Sequence, residues 1–389
     1  ALAESPVVEI EAETFQPRFS PDGKEVAYLQ ERTELKVINL ESRESRTILP
    51  ADANYSYADG DQWYDWSPDG QSFLVEFMSP TRWSSEIGLV PASGDGTLVN
   101  LTKAGYEDYI PRWALEGQAM YWFTDRYGSR QQGGRPSEFD IRMAFFTQEA
   151  WDRWHLSEAE LEQLKAKEKE DKKKEEKKKG NKDEKADEEE GKDDEKEDPK
   201  LPDPVKLELD GLEDRVVRLT THSSRMADAA VTPDGERLIY LAKFEKGYDL
   251  WSYSHRKQEI KLLAKLNAER AGDLFLDKEG KKAFLLVDRS LKTVEVESGK
   301  VKPVALSASM ELDAAAERAY LFEHAWRQTL KKFHDVDMHG VDWNYFKKSY
   351  ERFLNDIDTN QDFAELLSEM LGELNASHTG SGYRPRRPD

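Results

Sequence analysis

The chain has 389 residues, room for two or three domains, and its 57 Lys and Arg against 78 Asp and Glu leave a net charge of −21. That balance excludes a nucleic-acid partner and speaks against an anionic membrane, because both are held by clustered basic side chains. With no cysteine there is no disulfide, thiolate metal site or cysteine nucleophile, and no apolar run approaches the roughly 18 residues of a membrane span.

From the N-terminus, Arg18-Phe19-Ser20-Pro21-Asp22-Gly23 runs into Val26-Ala27-Tyr28, and the same pattern returns as Asp65-Trp66-Ser67-Pro68-Asp69-Gly70 before Phe73-Leu74-Val75. A third copy ends at Gly117, a fourth is Thr232-Pro233-Asp234-Gly235, and a weaker fifth is Asp277-Lys278-Glu279-Gly280. Proline presets φ at the first central turn position, aspartate bonds back to its own backbone and glycine accepts positive φ, so each copy reads as strand, tight turn, strand. Stretches such as 34–40, 86–90 and 248–253 supply further strands, about four per period of 45 to 47 residues, which is the arithmetic of a β-propeller blade. The expected fold is therefore mainly β, with five blades over residues 1–306. It is expected to be incomplete or open at its N-terminal edge, or else to build a final blade from strands at both ends.

The third and fourth glycines are 118 residues apart, and the excess locates an insertion at 151–205. Within it, residues 165–200 carry 14 Lys and 16 Asp or Glu and no aromatic residue. Such a segment cannot bury a core and is read as a solvated excursion rather than an interaction tail. Ser157 to Glu160 forms a capping box that starts a helix running towards Gly180, and the fold should survive loss of the charged run.

After Ser307 the period changes from two to 3.6, and residues 307–389 read as a small helical domain. One apolar stripe runs through Leu312, Ala315, Ala319, Phe322, Trp326, Leu330 and Phe333. A second lies behind Asp342 as N-cap, and a third, through Leu366, Met370 and Leu374, behind an Asp362–Glu365 capping box. Neither Asp335 onward nor Asp356 onward meets the spacing of a calcium loop, and His334 and His339, with no further histidine cluster, are read as packing residues rather than metal ligands. No metal or other cofactor is expected. Beyond the third helix, Asn375-Ala376-Ser377-His378-Thr379-Gly380 presents one histidine among small residues. A neutral imidazole of this kind is the general base of serine chemistry when an oriented hydroxyl lies within reach. Adjacent side chains on an extended segment point apart, so Ser377 is not read as the attacked serine.

Three stretches resemble the tricorn protease family of serine peptidases: the Ser20-Pro21-Asp22-Gly23 turn and its copies; Glu323-His324-Ala325-Trp326-Arg327 with Met338-His339-Gly340-Val341-Asp342-Trp343; and Gly372-Glu373-Leu374-Asn375-Ala376-Ser377-His378-Thr379. The resemblance implies that His378 is the catalytic base and that Ser377 belongs to the hydrogen-bonded group orienting it. It further implies oligopeptide substrates, no cofactor, a PDZ domain and a nucleophile-bearing domain beyond Asp389, and a homo-oligomer when full length. The chain is then a part of a peptidase, inactive alone. A cytoplasmic location is expected, or a periplasmic one if a leader has been removed. The rival reading is a TolB-like propeller that binds peptide or protein without catalysis. A prolyl-oligopeptidase reading fails because no Gly-x-Ser-x-Gly elbow occurs.

Overall fold

The computed structural model describes residues 5–55, 62–78, 84–130, 137–180 and 201–384. The chain divides into two compact units, Ala1–Ala305 and Leu306–Asp389. The first holds five four-stranded antiparallel sheets, each a meander of consecutive strands: residues 14–49, 64–100, 108–218, 225–268 and 271–303. These are the five expected blades. Among the described residues no sheet draws on both ends of the chain, since Thr14–Phe19 pairs with Glu25–Gln30 and Val301–Pro303 pairs with Ser290–Glu295.

The turn motif works through side chains. In blade 1 the Ser20 hydroxyl donates to Asp22 at 2.6 Å and accepts from the Glu25 amide, while Asp22 also accepts from the Lys24 amide. Ser67 and Asp69 repeat this arrangement in blade 2, and Thr232 and Asp234 in blade 4. In blade 5 Asp277 alone takes the Lys281 and Lys282 amides. Gly23, Gly70, Gly235 and Gly280 hold φ between 68° and 76°, where a side chain would be strained. The third copy has neither hydroxyl nor aspartate at these places, and its turn is a short 3-10 segment at Leu115–Gly117 in which Glu116 takes a left-handed conformation.

Blades pack face to face by the register that the turns set. Ala27 and Leu29 of blade 1 meet Tyr64, Trp66, Phe73 and Val75 of blade 2. Leu74 and Ile87 then meet Met120, Trp122 and Phe146 of blade 3, Tyr121 and Phe123 meet Leu238 and Tyr240 of blade 4, and Ile239 and Leu241 meet Ala283 and Leu285 of blade 5. Buried among these faces, Asp108 accepts from the Trp122 indole at 3.0 Å, and burial pushes its carboxyl up to about 6 despite hydrogen bonds that favour the anion. A carboxyl whose pKa rises on folding adds stability at acid pH that is lost as pH climbs from about 4 through 6. Asp108→Asn, which keeps an acceptor for Trp122, is expected to flatten that slope and to stabilise the protein at pH 7 by up to about 3 kcal/mol. Urea midpoints at pH 4 and pH 7 measure it, and an unchanged slope would refute the assignment.

The insertion lies inside blade 3, between Asp140–Phe145 and the outermost strand Val216–Arg218. It opens with helix α1 (Gln148–His155), most of which sequence reasoning placed within the charged insertion at 151–205 without assigning it a helix. Thr147 caps it and Ala150 is buried. Trp151 and Trp154 stand 5.6 and 5.2 Å from the Phe145 ring, so this helix is part of the core. Helix α2 (Glu158–Gly180) starts at the capping box, where Ser157 donates to Glu160 at 2.6 Å, and its Leu161 is buried. The charged run beyond residue 180 falls outside the described residues until Leu201. There the returning chain docks, with the Val205 amide donating to Asp69 at 2.7 Å. Excising residues 166–200 is expected to lower the helical circular dichroism signal by the part of α2 removed while leaving stability within about 0.5 kcal/mol. Excising α1 as well strips Phe145 of its cover, and equal midpoints for the two deletions would contradict this packing.

The second unit contains α3 (Ala314–Lys332), α4 (Trp343–Glu351) and α5 (Asn360–Gly372) around Phe322, Trp343, Phe363, Met370 and Leu374. Asp313 caps α3 and Asp342 caps α4. The Trp326 indole donates to the Trp343 carbonyl and the Trp343 indole to the Trp326 carbonyl, both at 3.1 Å, which locks α3 to α4. Two expectations are corrected. The box that starts α5 is Thr359–Asp362, three residues earlier than Asp362–Glu365, because the threonine hydroxyl takes the Asp362 amide. Leu312 and Leu330, placed on the first stripe, are exposed. No helix among the described residues is long and apolar enough to cross a membrane.

Candidate functional site

Helix α5 ends at Gly372, and the chain leaves it through a tight exit in which the Asn375 amide donates to the Gly372 carbonyl at 3.0 Å. Leu374 is fully buried and Ala376 packs on the same cluster, so the segment is held from below at alternate positions. From the far side, Ser368 of α5 grips it twice: its hydroxyl donates to the Ser381 carbonyl and accepts from the Ser381 amide, each at 2.9 Å. Thr379 closes the loop by donating to the Ala376 carbonyl. Between these anchors Ser377 and His378 are both exposed, and His378 is held at φ +63°, a left-handed conformation that costs a non-glycine residue energy unless its surroundings impose it. The backbone is thus fixed while the imidazole faces open space. Among the described residues neither the Ser377 hydroxyl nor the His378 ring enters a hydrogen bond, so the structure sets them side by side without joining them.

The same unit holds an arrangement to which the sequence reading gave no functional weight. His339 Nδ1 lies 3.2 Å from the Leu374 carbonyl, and its Nε2 lies 3.3 Å from Nε2 of His334. Among the described residues no group of three or more His, Asp or Glu side chains is placed to hold a metal ion.

In the first unit, one residue from each blade converges on a cavity of about 740 Å³: Arg18, Asp65, Arg112, Ala230 and Phe275, each five positions before its turn glycine. The innermost strands of blades 1, 3 and 5 are bulged two residues earlier, at Gln16, Ile110 and Asp273, all near φ +50°. A bulge at that point re-aims the side chains after it. Arg18 lies 4.3 Å above the Trp63 ring and 3.6 Å from Asp65. Enclosure by the cavity wall pushes the Asp65 carboxyl up to about 6, against the pull of Arg18. Arg112 is bound more tightly, 2.8 Å from Asp228 with a further bond to the Ala229 carbonyl. The fivefold register could have been found by aligning the turns, whereas the pairing of Arg112 with Asp228 carries no local signal.

Comparison with known proteins bears on both units. Residues 314–372 match the tricorn protease C1 domain. Over 68 residues, 18% of this chain and 6% of the relative, the sequence is 38% identical to putative tricorn protease homolog 2 of Streptomyces coelicolor. Over 376 residues, 93% of this chain and 39% of the relative, it is 20% identical to a putative Tricorn-like protease C-terminal subunit of Sulfurisphaera tokodaii. The crystal structure of the tricorn protease superposes with a TM-score of 0.62 at 12% identity, covering 96% of this chain and 35% of that one, which is a likeness of fold. The chain spans well under half the length of each.

Proposed function

Because the chain belongs to the tricorn protease family, carrying its C1 domain after propeller blades, we propose that it supplies the general base of a serine peptidase that cleaves oligopeptides. The observation that carries this reading is the clamped, solvent-facing His378, held on a fixed backbone four residues beyond the core residue Leu374. A base must reach a hydroxyl on another part of the protein, and a buried ring could not. In the proposed mechanism His378 takes the proton of a serine hydroxyl supplied by the protein beyond these residues. That oxygen attacks the peptide carbonyl, and the imidazolium then protonates the leaving amine. The same ring activates the water that resolves the acyl-enzyme. Ser377 is proposed to join the hydrogen-bonded group that orients the imidazole once the nucleophile-bearing part is in place. The cavity among the blades, with guanidinium and carboxyl groups set in aromatic and aliphatic walls, is suited to peptide and favours a guiding role for the blades. Fluorogenic oligopeptide assays test the reading: the 389-residue chain is expected to show no turnover by itself, and turnover abolished by His378→Ala in that isolated chain would overturn the assignment of the attacking serine to another part of the protein.

A further inference from the structure

We propose that His334 and His339 form a binding site for a single transition-metal ion of the zinc type. Four observations lead there. The Leu374 carbonyl can only accept, so His339 Nδ1 must carry the proton, and in the neutral ring Nε2 presents its lone pair. Nε2 of His334 lies 3.3 Å from it, with the rings at 75°. Two imidazole nitrogens sharing a tetrahedral zinc at about 2.05 Å each are separated by about 3.3 Å, the distance between these two. The spacing that a bare pair spans with a long hydrogen bond is also the one a shared metal ion requires.

The third observation is the backbone. Met338 and His339, neither of them glycine, are both held in the left-handed region, at φ 52° and 56°. These two unfavourable conformations turn the chain back so that His339 faces His334 across a five-residue loop. The fourth is access. His339 and His334 are exposed and the Asp335 carboxylate lies 3.9 Å from His339 Nε2, so water completes the coordination and the carboxylate bonds to a coordinated water or shifts to ligate directly. Phe333 packs against both rings, 4.7 and 5.0 Å between centroids, and limits the rotation that would part them. Two fixed nitrogens with a nearby carboxylate favour a borderline-soft ion that accepts imidazole over magnesium or calcium, which require oxygen donors.

Titration calorimetry of the 389-residue chain with zinc chloride tests this, in excess magnesium to occupy the carboxylate-rich insertion. One equivalent is expected to bind with micromolar affinity at pH 7.5. Affinity should drop at least about tenfold in His334→Ala and in His339→Ala. His378→Ala should bind as the unaltered chain does. Since His339 also bonds to the core segment at Leu374, His334→Ala carries the result if the other variant misfolds. No saturable binding, or an isotherm that His334→Ala leaves unchanged, overturns the proposal. The readout is metal binding, so it fails or succeeds independently of the peptidase reading.

Discussion

Replacing His378 by alanine in the complete peptidase is expected to lower kcat/KM for oligopeptides by about 10³-fold or more, the usual cost of removing the base from a serine mechanism. The loss should fall on kcat, because in the proposed mechanism the imidazole acts on the serine proton and contributes little to holding the ground-state peptide. The structure argues that the fold will tolerate the change. The ring is exposed, the segment is gripped at Leu374, Ala376 and Ser381 rather than through His378 itself, and the left-handed φ is a backbone property that the anchors enforce. Alanine at φ +63° costs on the order of 1 kcal/mol more than glycine, so His378→Gly serves as a second variant. Both should unfold near the midpoint of the unaltered protein. A His378→Ala enzyme that retains more than a tenth of its activity would remove this residue from the chemistry, whatever its midpoint.

Arg112→Ala should cost about 3–5 kcal/mol of stability, the largest effect expected of any polar substitution in the blades, because it leaves Asp228 charged and without its counter-ion in a closed site. The Asp228 side chain is 7% exposed and binds three blades together: Arg112 of blade 3 at 2.8 Å, its own neighbour Ala229 in blade 4, and the Leu274 amide of blade 5 at 2.7 Å. Burial already raises its pKa, with Arg112 as the main opposing influence. Without Arg112 the carboxyl rises further and is expected to take up a proton nearer neutrality, so the variant should recover stability as pH falls towards 5. Arg112→Ala with Asp228→Asn should be more stable than Arg112→Ala alone, since the amide oxygen still accepts from Leu274 and no charge remains to be solvated. Denaturant midpoints of the two variants give the comparison. A loss below about 1 kcal/mol for Arg112→Ala would mean that water reaches the pair.

The blades were legible in the sequence because their turns are written in side-chain chemistry: hydroxyl, proline, aspartate and glycine each perform a separate task within five residues, so the motif survives wherever those tasks remain. Blade 3 was harder to read since Ala114, Leu115 and Glu116 perform none of them, and its place in the series rested on spacing. Helix α1 escaped notice because its eight residues sit beside a long charged run, and only the contact with Phe145 shows that Trp151 and Trp154 face inward. The misplaced start of α5 has a similar cause. Thr359–Asp362 and Asp362–Glu365 both satisfy the capping spacing, and which one caps depends on where the preceding turn delivers the chain. At the candidate site, the small-residue run and its histidine were visible in order. The grip of Ser368 on Ser381 and the facing nitrogens of His334 and His339 are products of folding at a distance, which no local pattern encodes.

Blade 3 stands apart in one more respect. Its last strand, Val216–Arg218, joins the sheet only after about 70 further residues have been made, whereas every other blade closes through short hairpins. Closing so long a loop costs roughly 2 kcal/mol more chain entropy than closing one of five residues. During synthesis, therefore, the strand at Asp140–Phe145 waits with an open flank while the insertion emerges from the ribosome. A run rich in lysine, glutamate and aspartate, with no aromatic and no β-branched residue, is by composition a safe neighbour for that flank, since it offers little with which the growing sheet could mispair.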